Sequence, residues 1–244
     1  MEARVVEAGR GWQWIVDGFA LFRKSPAMWI ALTIVLALLW LVSFVIPVLG
    51  PLLFYLFSPV LFAGIMMGCR ALENGEDLEI AYLFAGFRQH AAPLVTIGGV
   101  YLVGNIIVLG IVFLVAGGST LMATIARPGA DIETLSAAIR SLALALAVGA
   151  AAYIPLIMLI WFAPLLVAFN GLVPAEAMKL SFAACWKNVM PFLVYGVAIL
   201  LLWLVLSLPA AAGFLGLLLG VALVAVSLPV LFCSVYLSYK DVFI

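Results

Sequence analysis

Charge is what this 244-residue chain has least of. Asp, Glu, Lys and Arg make up 9% of it, against about 25% in a soluble domain. The 11 basic and 11 acidic residues cancel, and no long basic tract exists to neutralise phosphates, which argues against a nucleic-acid partner. There is one histidine, His90, at an expected helix end beside Arg88. A solvated cap suits it better than a catalytic base, so acid–base machinery is lacking. The three cysteines, Cys69, Cys185 and Cys233, are far apart. They form no CxxC pair, zinc spacing or disulfide framework and read as small residues within a helix bundle. Glu73, Glu76, Asp77 and Glu79 form the most acidic stretch, but on a turn without calcium-loop spacing. No catalytic, cofactor-binding or metal-binding residue is assigned.

What fills the chain instead is hydrocarbon: 68% of residues are hydrophobic, too many to hide in a water-soluble core, so the chain belongs in a bilayer. A span needs about 20 apolar residues to cross roughly 30 Å of hydrocarbon. Six such runs are expected: Met28 to Ile46, Pro51 to Arg70, Pro93 to Val115, Leu144 to Phe169, Pro191 to Leu208 and Gly213 to Leu237. The charged stretch before Met28 does not resemble a cleaved signal peptide, so the first run is expected to be retained. Their interiors contain no Asp, Glu, Lys, Arg or His, which disfavours a proton pump. Asn105, the most central polar group, is expected to bond between helices, and Gly98, Gly99, Gly104 and Gly110 suggest an interior third span. Pro155 is an expected kink. Trp29 and Trp40 suit interface anchors or packing against a neighbour. The turn Pro47 to Pro51 is a tight connection, with a re-entrant hairpin as the alternative.

Three shorter segments precede alternate spans. Trp12, Ile15, Val16, Phe19 and Phe22 recur at helical spacing, as do Ile80, Leu83, Phe84 and Phe87, and then Met178, Phe182, Cys185 and Trp186. Each stripe predicts an amphipathic helix in the membrane interface; for the first, a cytoplasmic helix packed on the bundle is the alternative. Each ends in an aromatic, a basic residue and a proline: Phe22-Arg23-Lys24-Ser25-Pro26, Phe87-Arg88 followed by Pro93, and Trp186-Lys187 followed by Pro191. A second signature recurs around Pro59, Pro164 and Pro229, each followed within two residues by leucine. The fold class read from this is an all-α integral membrane protein in one domain, residues 1–244. Its six transmembrane helices form three repeats, approximately 12–70, 79–169 and 174–240, each an amphipathic interfacial helix plus a transmembrane hairpin.

Nine of the eleven basic residues fall on the side of the three corners, and only Arg127 and Arg140, which flank and extend a polar connection from Gly117 to Asp131, on the other. That bias predicts both termini in the cytoplasm. At each corner the ring can rest among headgroups while Arg or Lys reaches phosphate and proline starts the span. Arg23, Lys24, Arg88, Trp186 and Lys187 are the candidate contacts to membrane phospholipid or to another membrane protein. The function read from this is non-enzymatic organisation of lipid or of a partner membrane protein. The alternative is a facilitator of a small apolar or amphipathic solute.

The stretches GWQWIVDGFALFRKSPAMWI and FAPLLVAFNGLVPAEAMKLSFAACWKNVMPFLVYG resemble a family of uncharacterised bacterial inner-membrane proteins of about this length. Distantly, they look like the polytopic membrane domains that accompany some glycerophosphodiester phosphodiesterases. The resemblance implies an inner-membrane, lipid-associated role and brings no catalytic residue with it.

Overall fold

In the computed structural model, which describes residues 2–117, 132–209 and 213–244, the protein is all helix and turn among those residues. Six helices are long and apolar enough to cross a membrane. In chain order the elements are α1 (Arg10–Phe22), α2 (Pro26–Ser43), α3 (Leu49–Glu73), a 3₁₀ turn (Ile80–Phe84) leading into α4 (Ala85–Gln89), α5 (Ala91–Val115), α6 (Ile132–Ile160), α7 (Ala163–Asn170), α8 (Pro174–Lys187), α9 (Val189–Ser207) and α10 (Phe214–Phe243). Arg127 and most of the polar connection at 117–131, and the 210–212 part of the last hairpin turn, lie outside the described residues. Ile132 to Arg140 is continuous with the fourth span rather than a separate short helix.

The short segments lie across the long ones. Helix α1 passes over α10 between α9 and α3: Gly11 abuts the backbone of Pro191, Gly18 that of Val230 and Ser234, and the Lys24 ammonium donates to the Leu72 carbonyl (3.4 Å). The 3₁₀ turn and α4 cross α3, with Gly64 against the Tyr82 and Leu83 carbonyls and Gly86 against that of Val60. Helix α8 crosses the α6–α7 junction. At Gly18 an added Cβ would stand 2.8 Å from the Val230 oxygen, so the absence of a side chain is what lets α1 touch α10.

These contacts divide two of the expected apolar stripes between bundle and bilayer: Ile15, Phe22 and Cys185 pack inward, Met178 and Phe182 are half-buried, and the rest face out. In α1 the buried residues are Gly11, Trp14, Ile15, Gly18, Leu21 and Phe22, while Trp12, Val16 and Phe19 are exposed. In α8 they are Ala177, Ser181, Ala184 and Cys185, and Trp186 is 68% exposed. The second segment is a 3₁₀ turn and one short α-helix rather than a single amphipathic helix, and it buries Leu83 and Gly86 while Ile80, Phe84 and Phe87 are exposed. Lipid solvates large apolar side chains well, so hydrophobicity alone does not select the inward face; the glycines that permit close approach set which large residues pack beside them.

Other expectations change similarly. Helix α5 is not interior: it buries Leu94, Ile97 and Gly98, whereas Val103, Ile106, Leu109 and Phe113 are exposed. Asn105 bonds within its own helix, donating to the Tyr101 carbonyl (2.7 Å). Trp29 is a core residue at 1% exposure, while Trp40 is half exposed. The fourth span breaks at Trp161–Phe162 rather than at Pro155, which lies inside α6.

Pro164 accounts for that break: its ring clashes with the carbonyl four residues back, that of Ile160, where α6 ends. An interrupted helix in hydrocarbon leaves backbone groups that water cannot reach. Ser181 of α8 supplies both partners. Its hydroxyl donates to the Met158 carbonyl (2.7 Å) and accepts from the Phe162 amide (2.9 Å). Pro59 leaves α3 continuous, and the Tyr55 carbonyl that it cannot serve accepts instead from the Ser58 hydroxyl (2.8 Å).

Ser181→Ala is expected to destabilise the fold by about 2 to 3 kcal/mol, because it strands two backbone groups at once. Ser181→Thr keeps the hydroxyl but adds a methyl at a fully buried site, and is expected to lose less. A detergent-denaturation midpoint checks both, and equal stability of Ser181→Ala and wild type would contradict the bridging role.

Candidate functional site

Burial in this bundle is concentrated towards one end. The fully buried Met66, Cys69, Leu83, Phe162, Leu165 and Tyr239 share one cluster with Trp14 and Trp29. The opposite halves of the spans, including Val42, Leu109, Leu200 and Leu217, are exposed.

Polar contacts close the packed end. Asp241 accepts from Arg10 (2.5 and 2.6 Å) and from the indole of fully buried Trp14 (2.7 Å). Glu73 accepts from Lys240 (2.5 Å) and from the Tyr236 hydroxyl (2.7 Å), joining α3 to α10. Asn188, wholly buried, spends both ends of its amide: its oxygen accepts from the Val6 amide (2.8 Å), and its nitrogen donates to the Arg4 (2.8 Å) and Ala184 (2.9 Å) carbonyls. The Arg4 guanidinium reaches the Ile244 carbonyl, Tyr239 donates to Asn170 (2.5 Å), and the Arg70 guanidinium stands 5.3 Å from the centre of the Phe169 ring. The N-terminal segment and the ends of α3, α7, α8 and α10 therefore converge.

The expected contact residues stand around this end, facing outward. Arg23, Lys24, Arg88, Trp186 and Lys187 are all exposed. Among the described residues Arg23, Arg88 and Lys187 have no hydrogen-bond or ion-pair partner, Lys24 has only its long bond to Leu72, and Trp186 stacks on Phe182 with ring centres 6.3 Å apart. No such contact joins one corner to another. Among the described residues the basic side chains thus divide into those tied inward (Arg4, Arg10, Arg70, Lys240) and those exposed without a strong partner: Arg23, Lys24, Arg88 and Lys187 at the corners, Lys179 on α8 and Arg140 on α6. Near these corners, burial pushes the Cys185 thiol up to about 12 despite its Ser181 neighbour, so it stays a neutral packing group. Desolvation and then Glu76 raise Tyr82.

Between the packed end and the exposed halves lies a cavity of about 530 Å³ that all six long helices help to wall. Its inner wall includes buried Leu61, Ile65, Tyr195 and Val235 with the Trp161 ring, and its outer wall half-buried Leu36, Phe54, Tyr101, Tyr153 and Ile199. The lining is almost wholly apolar. Its hydroxyls are Ser58, committed to Tyr55; Tyr195, bonded to Ser234 (2.5 Å); and the pair Tyr101–Tyr153, 3.0 Å apart. Neither the tyrosine pair nor the clasp at Asn188 and Asp241 was legible as a site, because each joins residues distant in sequence. The one local hint was that prolines 59 and 164, which line the cavity, belong to the repeated signature. Among the described residues, no three His, Cys, Asp or Glu side chains stand close enough to hold a metal ion.

Comparison with known proteins gives a relative across the whole chain. The "Probable inner membrane protein BTH_II0599" of Burkholderia thailandensis is 30% identical over 258 aligned positions, covering 100% of this chain and 94% of that protein. The chain belongs to this inner-membrane protein family. No family model matches it, and no solved structure does. It is a multi-pass protein of the bacterial inner membrane, carrying no catalytic motif and matching no enzyme family model. That relative's name makes no mention of phosphodiesterase machinery, so the distant likeness to phosphodiesterase-associated domains gains no support.

Proposed function

We propose that the protein is a non-enzymatic organiser of membrane lipid, holding phospholipid headgroups at its three basic corners. The observation that carries this reading is the division of its cations. Those at the packed end are consumed by internal contacts, whereas Arg23, Arg88 and Lys187 are exposed and unpaired beside apolar spans. A cation at the membrane surface beside anionic lipid gains roughly 1 kcal/mol, so each corner enriches anionic lipid beside it. Exposed Trp186 and Phe87 give two corners an apolar ring to sit among headgroups; at the first corner the expected Phe22 is buried, and Phe19, one turn earlier, is the exposed ring. A partner membrane protein with acidic loops would meet the same cations.

The triple variant Arg23→Ala, Arg88→Ala, Lys187→Ala is expected to lose most of the anionic phospholipid that co-purifies with wild type in mild detergent, read by native mass spectrometry. Identical lipid content in the two proteins would sink the headgroup reading.

The corners, we infer, lie on the cytoplasmic side with both termini, following the excess of basic residues there. A cysteine placed at exposed Val48, in the turn between α2 and α3, should react with a membrane-impermeant maleimide from the periplasm; reaction only after the cytoplasm is opened would reverse the orientation. A further expectation is that the units 12–70, 79–169 and 174–240 are repeats. It is supported by α1 crossing the Pro229-bearing α10, α4 the Pro59-bearing α3, and α8 the Pro164 junction, so that each crossing segment covers the neighbouring pair of spans.

The cavity favours a second reading, passage of a small apolar or amphipathic solute. Proteoliposomes containing only this protein are then expected to show saturable flux of such a solute, and a flux equal to that of empty liposomes would remove this reading.

A further inference from the structure

We propose that the cavity is a binding site for a neutral, largely hydrocarbon lipid carrying one carbonyl or hydroxyl oxygen, and that this oxygen accepts a hydrogen bond from the Tyr101–Tyr153 pair. The site lies apart from the basic corners, so it stands or falls independently of headgroup binding there.

Three features of the cavity define the ligand. The first is volume and lining: about 530 Å³ of almost entirely apolar space falls within the 300–1,000 Å³ range typical of small-molecule sites. The second is access. The inner end is lined by Leu61, Ile65, Tyr195 and Val235, all buried. The half-buried wall residues Leu36, Phe54 and Ile199 face the other way, towards halves of spans whose exposed Val42, Ile106 and Leu200 stand in hydrocarbon. A ligand therefore enters from the bilayer and brings an apolar body with it.

The third feature is the proton count of the tyrosine pair. Two phenol groups meeting at 3.0 Å share one hydrogen bond, yet two O–H groups are present. One proton is used between the rings, leaving the other free to serve a ligand oxygen, and in the same wall the buried Trp161 indole N–H has no hydrogen-bond partner among the described residues. Desolvated from water, a donor without an acceptor is costly, and a ligand oxygen in the cavity removes that cost. Depth then fixes the charge of the ligand. Tyr101 is ten residues from the start of α5, about 15 Å at 1.5 Å per residue, which places it near the middle of the span. A phosphate or ionised carboxylate is expensive at that depth, whereas an ester, ketone or alcohol oxygen is not. Phospholipid headgroups thus belong at the corners, and a neutral lipid oxygen belongs here.

The test uses the full-length protein in nanodiscs with a diazirine-bearing methyl palmitate, compared with the corresponding diazirine hexadecane, palmitate at pH 8 and a diacyl phospholipid probe. The methyl ester is expected to label peptides containing Phe54–Ile65 and Tyr195–Ile199 saturably, with excess unlabelled methyl palmitate displacing it. Tyr101→Phe with Tyr153→Phe is expected to raise the half-labelling concentration of the ester about tenfold, the worth of one well-placed hydrogen bond, and to leave hexadecane unchanged. Ile199→Trp, which fills the cavity, should abolish saturable labelling while its detergent-denaturation midpoint stays near that of wild type. If Ile199→Trp does not fold, Leu36→Trp fills the space from another helix. Labelling that never saturates, or that is the same in the filled variant, overturns the site. Equal effects on ester and hexadecane overturn the role given to the tyrosines, and preferential labelling by palmitate or the phospholipid overturns the assignment of a neutral ligand.

Discussion

Lipid tails solvate a leucine about as well as a protein interior does, so no hydrophobic force pulls one span of this protein onto another. What holds the bundle is contact at short range, and contact needs small surfaces. The crossings are made at Gly11, Gly18, Gly64, Gly86, Ala177, Ser181 and Ala184, all glycine, alanine or serine. Large side chains on the same elements divide: Trp14, Phe22 and Leu83 pack beside these small residues, while Trp12, Phe19, Phe87 and Trp186 turn to the bilayer.

The same low dielectric makes every unmet backbone group expensive. Prolines nevertheless interrupt the spans, and the cost is met by hydroxyls: Ser58 serves Tyr55 within α3, and Ser181 bridges Met158 and Phe162 across a true break. One proline signature therefore has two outcomes. At Pro59 the helix stays continuous with Ser58 serving the freed Tyr55 carbonyl, whereas at Pro164 the chain breaks and Ser181 of α8 stands between the Met158 carbonyl and the Phe162 amide. The break also brings Trp161 into the cavity wall.

Length and hydropathy made the six spans legible, because a run of about 20 apolar residues has few other homes. Which face of the short helices points inward was not legible. The stripe Trp12, Ile15, Val16, Phe19 and Phe22 that helical periodicity picks out is split, Ile15 and Phe22 packing inward beside Gly11 and Gly18 and the other three facing the bilayer. Trp29 fits either an anchor or a core residue by position, and only the packing around it decides. The tyrosine pair joins residues 52 apart, and the contact of Arg4 with Ile244 joins residues 240 apart. No local pattern carries such pairings. That Arg23, Lys24, Arg88, Trp186 and Lys187 are exposed accords with a pattern that is local, an aromatic, a cation and a proline in succession at the start of a span.

Helix α1 has its binding surface on α10, and the segment before it is fastened to α8 and to the chain's last residues. During synthesis α1 emerges some two hundred residues ahead of the helix it must touch. Until α10 is threaded into the bilayer, the Trp14 indole has no Asp241 and the Gly18 notch has nothing to receive. Assembly is thus ring-like: the earliest helix is held in reserve, and the last span to be inserted locks the bundle.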